Sequence, residues 1–419
     1  MNTFCGIDFG TSNSTVGVVK DGLPVLVPLE HLQPTLPSAL FYNFDEKRTS
    51  FGREAIDDYI DGEYGRLMRS LKSVLGTSLM KQATHLGQRN VTYIEIIAEF
   101  IGELKRRAEL NIDRELTHVV AGRPVNFVDN DASADNRAQE ALAEIYRLVG
   151  FKEVEFQFEP IAAALHYEQQ LSREELALIV DIGGGTSDFT LIQLSPQRKH
   201  SVDRSEDILA TAGIHIGGND FDRRFNMFKA MPMLGMRSVI HGDSSELVMP
   251  TKPYFDLSTW HLIHKQYEKK NIFDIQQLKL RAKKPELVER LLKVLFQQDG
   301  HRLISSIESC KIHLAGHPNG KLDLSFIEDN LQLDCLQSEL DEATTKEVEG
   351  ISEMINETLQ LAELKPQNVS SIFLTGGTTG LPSVRRAVKE IFPQGNVVEG
   401  DKFGSVGAGL TFDAMKRFA

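Results

Sequence analysis

The sequence predicts an α/β protein whose two duplicated lobes face a shared cleft. One unit of sequence occurs twice, at residues 4–19 and again at residues 176–192. Each copy consists of a β-rich run, an aspartate, a turn rich in Gly, Thr and Ser, and a second β-rich run. Apolar stripes with helical spacing fill the intervals. We therefore expect two lobes of strands and helices, each directing one turn towards the cleft.

Two of these intervals carry clear helix signals. Thr92 and Glu95 have the spacing of a capping box at a helix N-terminus. The apolar residues that follow at helical spacing are Ile94, Ile97, Ala98, Ile101 and Leu104. A similar stripe further on consists of Val348, Ile351, Ile355, Leu359 and Ala362. Both stripes predict helices that bury one face in the core.

The composition is that of a globular protein and argues against several classes of partner. The formal net charge is -13, whereas nucleic acids and anionic membranes need a basic face. The three cysteines, Cys5, Cys310 and Cys335, form no Cys-x-x-Cys pair, so we expect neither a disulfide framework nor a zinc site. No apolar run approaches the ~20 residues that span a bilayer, and residues 1–5 lack a signal-peptide pattern. We expect a cytoplasmic protein with neither nucleic acid nor a membrane as partner.

The first turn, residues 8–14, has the groups that a polyphosphate needs. Gly10 lets backbone N–H groups approach anionic oxygens, and Thr11 and Ser12 add hydroxyl donors. Asp8 would repel a phosphate unless a cation lay between them. That arrangement indicates Mg²⁺, held largely through water. Taken alone, such a turn is more often a simple hairpin connection.

The second turn, residues 181–188, strengthens the phosphate interpretation. Its three consecutive glycines, residues 183–185, are costly to order and hard to explain by packing. Two facing turns could hold the β- and γ-phosphates from opposite sides, and Asp181 could share the metal with Asp8. Two carboxylates brought together need a positive charge between them, which the ion supplies.

The chain resembles the nucleotide-binding domain of the heat-shock protein 70 (DnaK-type) chaperones. The similar stretches are residues 6–14, 158–167, 181–188, 212–222, 307–314 and 373–384. They follow one another in the family's order over nearly the whole chain. The length is similar to that of the stand-alone YegD-like subgroup. The resemblance implies an actin-like ATPase fold, in which two ribonuclease H-like lobes surround a central nucleotide cleft.

The resemblance also implies roles for individual residues. It assigns catalysis to Lys72, Glu159, Thr186 and Asp188, and Mg²⁺ to Asp8 and Asp181, with K⁺ as a further candidate ion. An ammonium near the γ-phosphate can orient water and offset developing charge. Without the aligned context, Lys72 would more often be a solvated surface lysine. The ATP or ADP contacts would come from Gly10, Thr11, Ser12, Asn13, Gly183, Gly184, Gly185, Thr186, Gly217, Gly218, Glu308, Lys311, Gly376, Gly377 and Thr378.

The chain departs from the family pattern at two residues expected near the adenine base. It also departs near the proline that relays the nucleotide state in the family. Gly380 stands where many relatives have an arginine over the adenine, and Ile312 where some have another cation. We therefore expect weaker base stacking. Pro124 resembles a proline that relays nucleotide state, although the accompanying arginine aligns only loosely with Arg137. A simple strand-end proline is the alternative.

The expected lobe boundaries follow from these motifs. Lobe I comprises residues 1–172 with a returning helix at 403–419, and lobe II comprises residues 173–402. Lobe II contains an inserted subdomain at about 225–318. The aromatic and methionine residues between 225 and 301 form either a partner surface or the core of that subdomain. After the segment from Asp401 to Phe412 the sequence ends at Ala419, so we expect no β-sandwich peptide-binding domain.

The function expected from the sequence is Mg-dependent ATP binding with slow hydrolysis. Lys72, Glu159 and Thr186 would place the attacking water, and the output would be a signal to a protein partner or co-chaperone. An actin-like filament-forming ATPase and a non-hydrolysing nucleotide-binding scaffold remain alternatives. A small-molecule kinase is less favoured, since no catalytic aspartate stands beside an acceptor pocket.

Overall fold

The structure is a computed structural model of the chain. It describes residues 3–87, 89–128, 131–169, 171–198, 204–242, 245–399 and 404–419. Asp401, with the expected lobe boundaries at 402 and 403, lies outside the described residues. The chain forms two compact units. The first contains residues 1–217, 350–380 and 384–419, and the second contains residues 218–349 and 381–383.

The first 217 residues contain both strands and helices, as expected of an α/β fold. In chain order they are β1 (Phe4–Phe9), β2 (Asn13–Lys20), β3 (Leu23–Leu26), β4 (Thr35–Pro37), β5 (Ala39–Asn43), β6 (Arg48–Phe51), α1 (Arg53–Ile60), β7 (Gly65–Arg69), β8 (Ala83–Leu86), β9 (Arg89–Thr92), α2 (Tyr93–Ile112), β10 (His118–Arg123), α3 (Ala132–Leu148), β11 (Glu153–Phe158), α4 (Glu159–Glu168), β12 (Glu175–Ile182), β13 (Ser187–Leu194) and β14 (Ile208–Ile214).

The elements after residue 217 include the helices of the second unit and the last strands and helices of the first. They are α5 (Gly218–Lys229), β15 (Val239–His241), β16 (Glu246–Val248), α6 (Lys252–Leu257), α7 (Ile263–Gln266), α8 (Lys269–Arg281), α9 (Pro285–Gln297), α10 (Gly300–Gly316), β17 (Asn319–Asp323), β18 (Gln332–Leu336), α11 (Gln337–Ala343), α12 (Thr345–Leu361), β19 (Ser371–Thr375), α13 (Pro382–Ile391), β20 (Asn396–Glu399) and α14 (Ser405–Phe418). Short 3-10 turns are Leu71–Val74, Ser78–Lys81, Ser205–Asp207, Met231–Leu234, Pro366–Asn368 and Gly377–Gly380.

Two main sheets, both in the first unit, repeat one arrangement. The first has the order β11-β10-β1-β2-β3, and the second has the order β14-β13-β12-β19-β20. In each sheet an antiparallel hairpin, β1–β2 or β12–β13, lies beside parallel strands. The α/β class and the twice-occurring strand-turn-strand unit are therefore confirmed. The two turns that join the hairpins are the glycine-containing turns predicted to bind phosphate.

Helices α4 and α14 connect the two sheets within the first unit. Helix α4 packs on β10–β13, and α14 packs on β1, β2, β3 and β10. One apolar cluster joins both helices to both sheets and includes Val120, Ala163, Ile179, Phe373 and Leu410. The strand ends that carry the two turns are thus attached to a single core.

The helix predicted from the capping box is α2, which begins after Thr92. The Thr92 hydroxyl accepts the Glu95 N–H, and the Glu95 carboxylate accepts the Thr92 N–H. Its buried face belongs to the core under the first sheet. The second apolar stripe, which starts at Val348, lies on α12, where Ile351, Ile355 and Leu359 are buried. Both predicted helices are confirmed.

Helix α10 packs on α5, α11 and β17 within the second unit. Six of the thirteen aromatic and methionine residues between 225 and 301 are buried, among them Phe225, Met231, Tyr254 and Trp260, whereas Phe255, Phe273 and Phe296 are exposed. The buried residues form core, and the exposed ones leave the partner-surface alternative open. The lobe boundaries themselves remain a prediction. No helix in the described ranges is long and apolar enough to cross a membrane.

Candidate active site

The two glycine-containing turns of the first unit lie directly against each other. A Cβ atom added to Gly184 would overlap the Ser12 hydroxyl, and one added to Gly185 would lie 3.0 Å from Thr11 Oγ1. Side chains at these positions would push the turns apart, so the close approach requires glycine. The structure therefore brings together two turns that are separated by more than 160 residues in the sequence.

Hydrogen bonds fix the shape of each turn. In the first, the Ser38 hydroxyl donates to the Gly10 carbonyl at 2.7 Å, and the Ser38 N–H donates to the Ser12 carbonyl at 2.8 Å. In the second, the Gly183 N–H donates to the Thr186 carbonyl at 3.0 Å. The first turn is therefore supported by a residue from outside the hairpin, Ser38, whose role no local sequence pattern indicated.

Lys72 and Glu159 form a buried ion pair beside these turns. Lys72 lies in the 3-10 turn Leu71–Val74, which follows Ser70 in a left-handed conformation with φ 54°. Glu159 is the first residue of α4, where the positive end of the helix dipole favours a carboxylate. A Cβ atom on Gly122 would lie 3.1 Å from Glu159 Cγ, so β10 also borders the carboxylate. Lys72 is thus not the solvated surface lysine of the alternative interpretation.

Asp188 is held from two sides near the start of β13. Its Oδ1 accepts the Val125 N–H at 2.7 Å, and its carboxylate is also hydrogen-bonded to the Thr186 side chain. Val125 directly follows Pro124 at the end of β10. Thr186 and Asp188, both predicted as catalytic residues, therefore contact each other and the segment proposed to relay nucleotide state.

Lys72 and three aspartates have shifted pKa values here, and the Glu159 charge contributes to each shift. Burial and the Glu159 charge raise the pKa of Asp8 to about 7, although Lys72 lowers it. Burial and Glu159 likewise raise the pKa of Asp188 to about 7. Burial raises the pKa of Asp181 well above its usual range, with the nearby carboxylates adding to the shift. For Lys72 the carboxylates, Glu159 foremost, outweigh burial and raise the pKa.

This cluster carries more negative charge than one lysine can balance. A cation beside Asp8 and Asp181 would offset the repulsion that raises their pKa values. No group of three His, Cys, Asp or Glu side chains in the described residues is placed to hold an ion directly. Mg²⁺ commonly keeps several waters and uses one or two carboxylates. Asp8 and Asp181 therefore fit an ion bound mainly through water and phosphate.

Other predicted nucleotide residues lie around the second turn. A Cβ atom on Gly217 would lie 2.5 Å from the Gly185 nitrogen. Gly376 has φ 82°, and a Cβ there would overlap the Ile182 carbonyl. The Thr378 hydroxyl, one residue beyond Gly377, donates to the Gly183 carbonyl at 3.1 Å. These glycines let the adjoining segments approach the second turn closely.

Three predicted nucleotide residues belong to the second unit. Gly218 begins α5, and Glu308 and Lys311 lie one helical turn apart on α10. The buried Lys311 ammonium pairs with Asp222 at 2.9 Å and donates to the Gly218 carbonyl at 3.3 Å. Its charge is thus already engaged by α5, and its role beside the nucleoside remains a prediction.

Arg123, which immediately precedes Pro124, was not predicted from the sequence; the resemblance pointed to Arg137 instead. The Arg123 guanidinium is buried, pairs with Asp135 at 2.6 Å and lies over the Phe158 ring at 5.0 Å. Arg137 instead bonds to Ser133 in an exposed position. The only local signal for Arg123 was its place immediately before Pro124.

A comparison with known families agrees with this geometry. The Hsp70 protein family model matches residues 4–232 and 294–414, which include each of the predicted site residues. Residues 233–293, within the second unit, are not matched. Because the matched residues make up most of the chain and carry both turns, the chain belongs to the Hsp70 family, whose fold is that of the actin-like ATPases.

Proposed function

We propose that this chain binds ATP with Mg²⁺ and hydrolyses it slowly. Hsp70 family members are generally ATPases that use ATP or ADP with Mg²⁺ and typically bind co-chaperones. The observation that best supports the proposal is the buried Lys72–Glu159 pair beside two facing glycine turns. A buried ion pair is a poor source of stability by itself, so a chemical role accounts for it better.

Each residue of the cluster has a distinct proposed task. Asp8 and Asp181 hold the ion through water, and the ion when bound neutralises charge on the phosphate oxygens. Glu159 orients the attacking water as a hydrogen-bond acceptor, and Lys72 offsets negative charge that develops during transfer. Thr186 places its hydroxyl beside the γ-phosphate, with Asp188 fixing that hydroxyl. Backbone N–H groups of the two turns bind the remaining phosphate oxygens.

The proposed output is a signal to a protein partner through the end of β10. Asp188 bonds to Val125, and Arg123 two residues earlier bonds to Gln139 of α3 and lies over Phe158. Arg123, Gln139 and Phe158 line a cavity of about 470 Å³ between α3 and β11. A displacement of the Asp188 side chain would thus be transmitted to this cavity through Val125 and Arg123.

Calorimetry with ATP and ADP, with and without a chelator, tests the proposal. We expect binding that weakens strongly when Mg²⁺ is removed, and slow release of phosphate on longer incubation. Asp8→Asn should reduce the effect of Mg²⁺ on affinity, whereas Asp21→Asn, at an exposed turn, should not. Equal affinity with and without metal would remove the basis for the Asp8 and Asp181 assignments.

A further inference from the structure

Helix α8 carries a concentration of positive charge in an otherwise acidic chain. Residues 265–284 contain seven Lys or Arg and two acidic residues, whereas the whole chain has a net charge of -13. On the same helix Phe273 is 57% exposed and Leu280 is 79% exposed. The family model does not match this part of the chain. The features that the family shares therefore do not explain this surface.

The exposed groups of α8 lie on one side of the helix. Phe273 and Leu280 are seven residues apart, which places them two turns apart on the same side. Lys269 and Lys270 stand one turn before Phe273, and the buried Ile275 lies on the opposite side. Neither lysine forms an ion pair within the described ranges. We call Lys269, Lys270, Phe273 and Leu280 the basic face.

Helix α12 presents the complementary pattern. Glu349, Glu353 and Glu357 are exposed and follow one another at intervals of four, and residues 347–364 contain no Lys or Arg. Beside them, Met354 is half-buried and Leu361 is 59% exposed, again seven residues apart. None of the three glutamates forms an ion pair in the part of the chain that the structure describes. We call Glu353, Met354, Glu357 and Leu361 the acidic face, since Glu349 lies further round the helix.

We propose that the basic face of one copy of this chain packs against the acidic face of a second copy. Each face offers two apolar side chains two turns apart and an excess of one charge, although Asp274 adjoins the basic face and Lys346 lies in the first turn of α12. Parallel packing of the two helices would set Phe273 against Met354 and Leu280 against Leu361. Lys269 and Lys270 would then lie within one turn of Glu353, as oppositely charged residues do beside a coiled-coil seam.

A second copy fits the basic face better than an anionic membrane does. Two protruding apolar side chains give little area for insertion into a bilayer. The acidic face, by contrast, has two apolar side chains at the same spacing as the basic face and carries the opposite charge. The net charge of -13 opposes an anionic bilayer and a second copy alike, so the local charges of the two faces are what favours the second copy.

The contact joins two different surfaces, so it is heterologous. Repetition of such a contact produces open head-to-tail chains unless its rotation closes a ring. The seam is small, so association should be weak and sensitive to salt. It requires no nucleotide, and its test is therefore independent of the proposed ATPase activity.

Sedimentation velocity over a range of protein concentrations, at low and high salt, provides the test. The wild-type chain should form larger species as its concentration rises at low salt and return to monomer at high salt. Lys269→Glu/Lys270→Glu and Glu353→Lys/Glu357→Lys should each weaken association by about tenfold or more. A matched change at exposed lysines elsewhere, Lys20→Glu/Lys47→Glu, should leave association unchanged.

Mixing the two charge-reversed variants gives the sharpest result. The first retains an intact acidic face and the second an intact basic face, and the two reversed faces are also complementary to each other, so the mixture should associate at low salt although neither variant does so alone. Phe273→Ser/Leu280→Ser should also weaken association, with ADP binding unchanged in every variant. A wild-type chain that stays monomeric throughout, or a mixture of the two variants that does not associate, overturns the proposal. So does a monomer that binds phosphatidylserine vesicles through the basic face.

Discussion

At the residue scale, the charge balance around Lys72 dominates the candidate site. Its ammonium pairs with Glu159 and also lies within electrostatic reach of Asp8 and Asp188. Both Asp8 and Asp188 have pKa values raised to about 7, so the cluster is poised between charge states near neutral pH. A site of this kind is costly to the folded state and is typical of catalytic clusters.

Lys72→Ala should lower turnover by roughly a hundredfold or more, the scale of losing one electrostatic stabiliser. Nucleotide affinity should change far less, because the two turns provide the binding groups. Single-turnover hydrolysis with bound Mg-ATP is the measurement. Lys20→Ala, at an exposed strand end, is the control. Unchanged single-turnover hydrolysis in the Lys72 variant would return this lysine to a structural role.

Asp188 offers a prediction about stability and pH. The raised pKa means that the folded state favours the protonated carboxyl, so the contribution of Asp188 to stability is lost as pH rises from about 4 to about 7. Asp188→Asn should therefore stabilise the nucleotide-free protein at pH 8 more than at pH 4, measured by urea unfolding.

Asp188→Ala provides the matched comparison. It also removes the charge but leaves the Val125 N–H without its acceptor, at a cost of about 1 kcal/mol. The alanine variant should thus be less stable than the asparagine variant at both pH values. Equal stability of the two would mean that the Val125 contact contributes nothing.

The sequence predicted only part of these residue contacts. Asp8, Asp181 and the glycines lie in contiguous motifs, so their type and spacing reveal them. Ser38, Val125 and Arg123 join the site through contacts with distant segments, and no local pattern marks such contacts.

At the element scale, the crossing of α4 and α14 fixes how the two sheets are joined. A Cβ atom added to Gly409 would overlap the Ala162 carbonyl, so the two backbones are in direct contact there. The strand-turn-strand hairpins and α2 follow from sequence periodicity. This crossing does not, because Gly and Ala at a close contact produce no apolar stripe.

Gly409→Ala should destabilise the protein by about 2–4 kcal/mol, because the new methyl group forces the helices apart in a packed core. Ala408→Gly is the control at the neighbouring, less buried position, with an expected cost of about 1 kcal/mol from helix propensity. Urea unfolding of both variants measures the difference. A Gly409→Ala variant as stable as the wild type would show that α14 can shift without cost.

At the scale of the whole molecule, the two compact units differ in how far their role could be predicted. The first unit carries the duplicated turns, the ion pair and both main sheets. The second unit holds Gly218, Glu308 and Lys311, which only the family resemblance assigned to the nucleotide. Its unmatched residues 233–293 carry no motif, so their arrangement could not be derived from spacing.

Hydrogen exchange with and without Mg-ATP tests the assignments in both units. We expect slower exchange in the turn at residues 181–188, whose N–H groups are proposed to bind phosphate, and in α10 around Glu308 and Lys311, whose side chains are predicted to contact the nucleoside. At a ligand concentration of 100 Kd, binding stabilises the folded state by about 2.7 kcal/mol, so protection should be readily measured. The exposed end of α1 near Ile60 is the internal reference and should not change. Protection confined to the turn, with α10 unaltered, would contradict the roles of Glu308 and Lys311 while leaving the phosphate assignment intact.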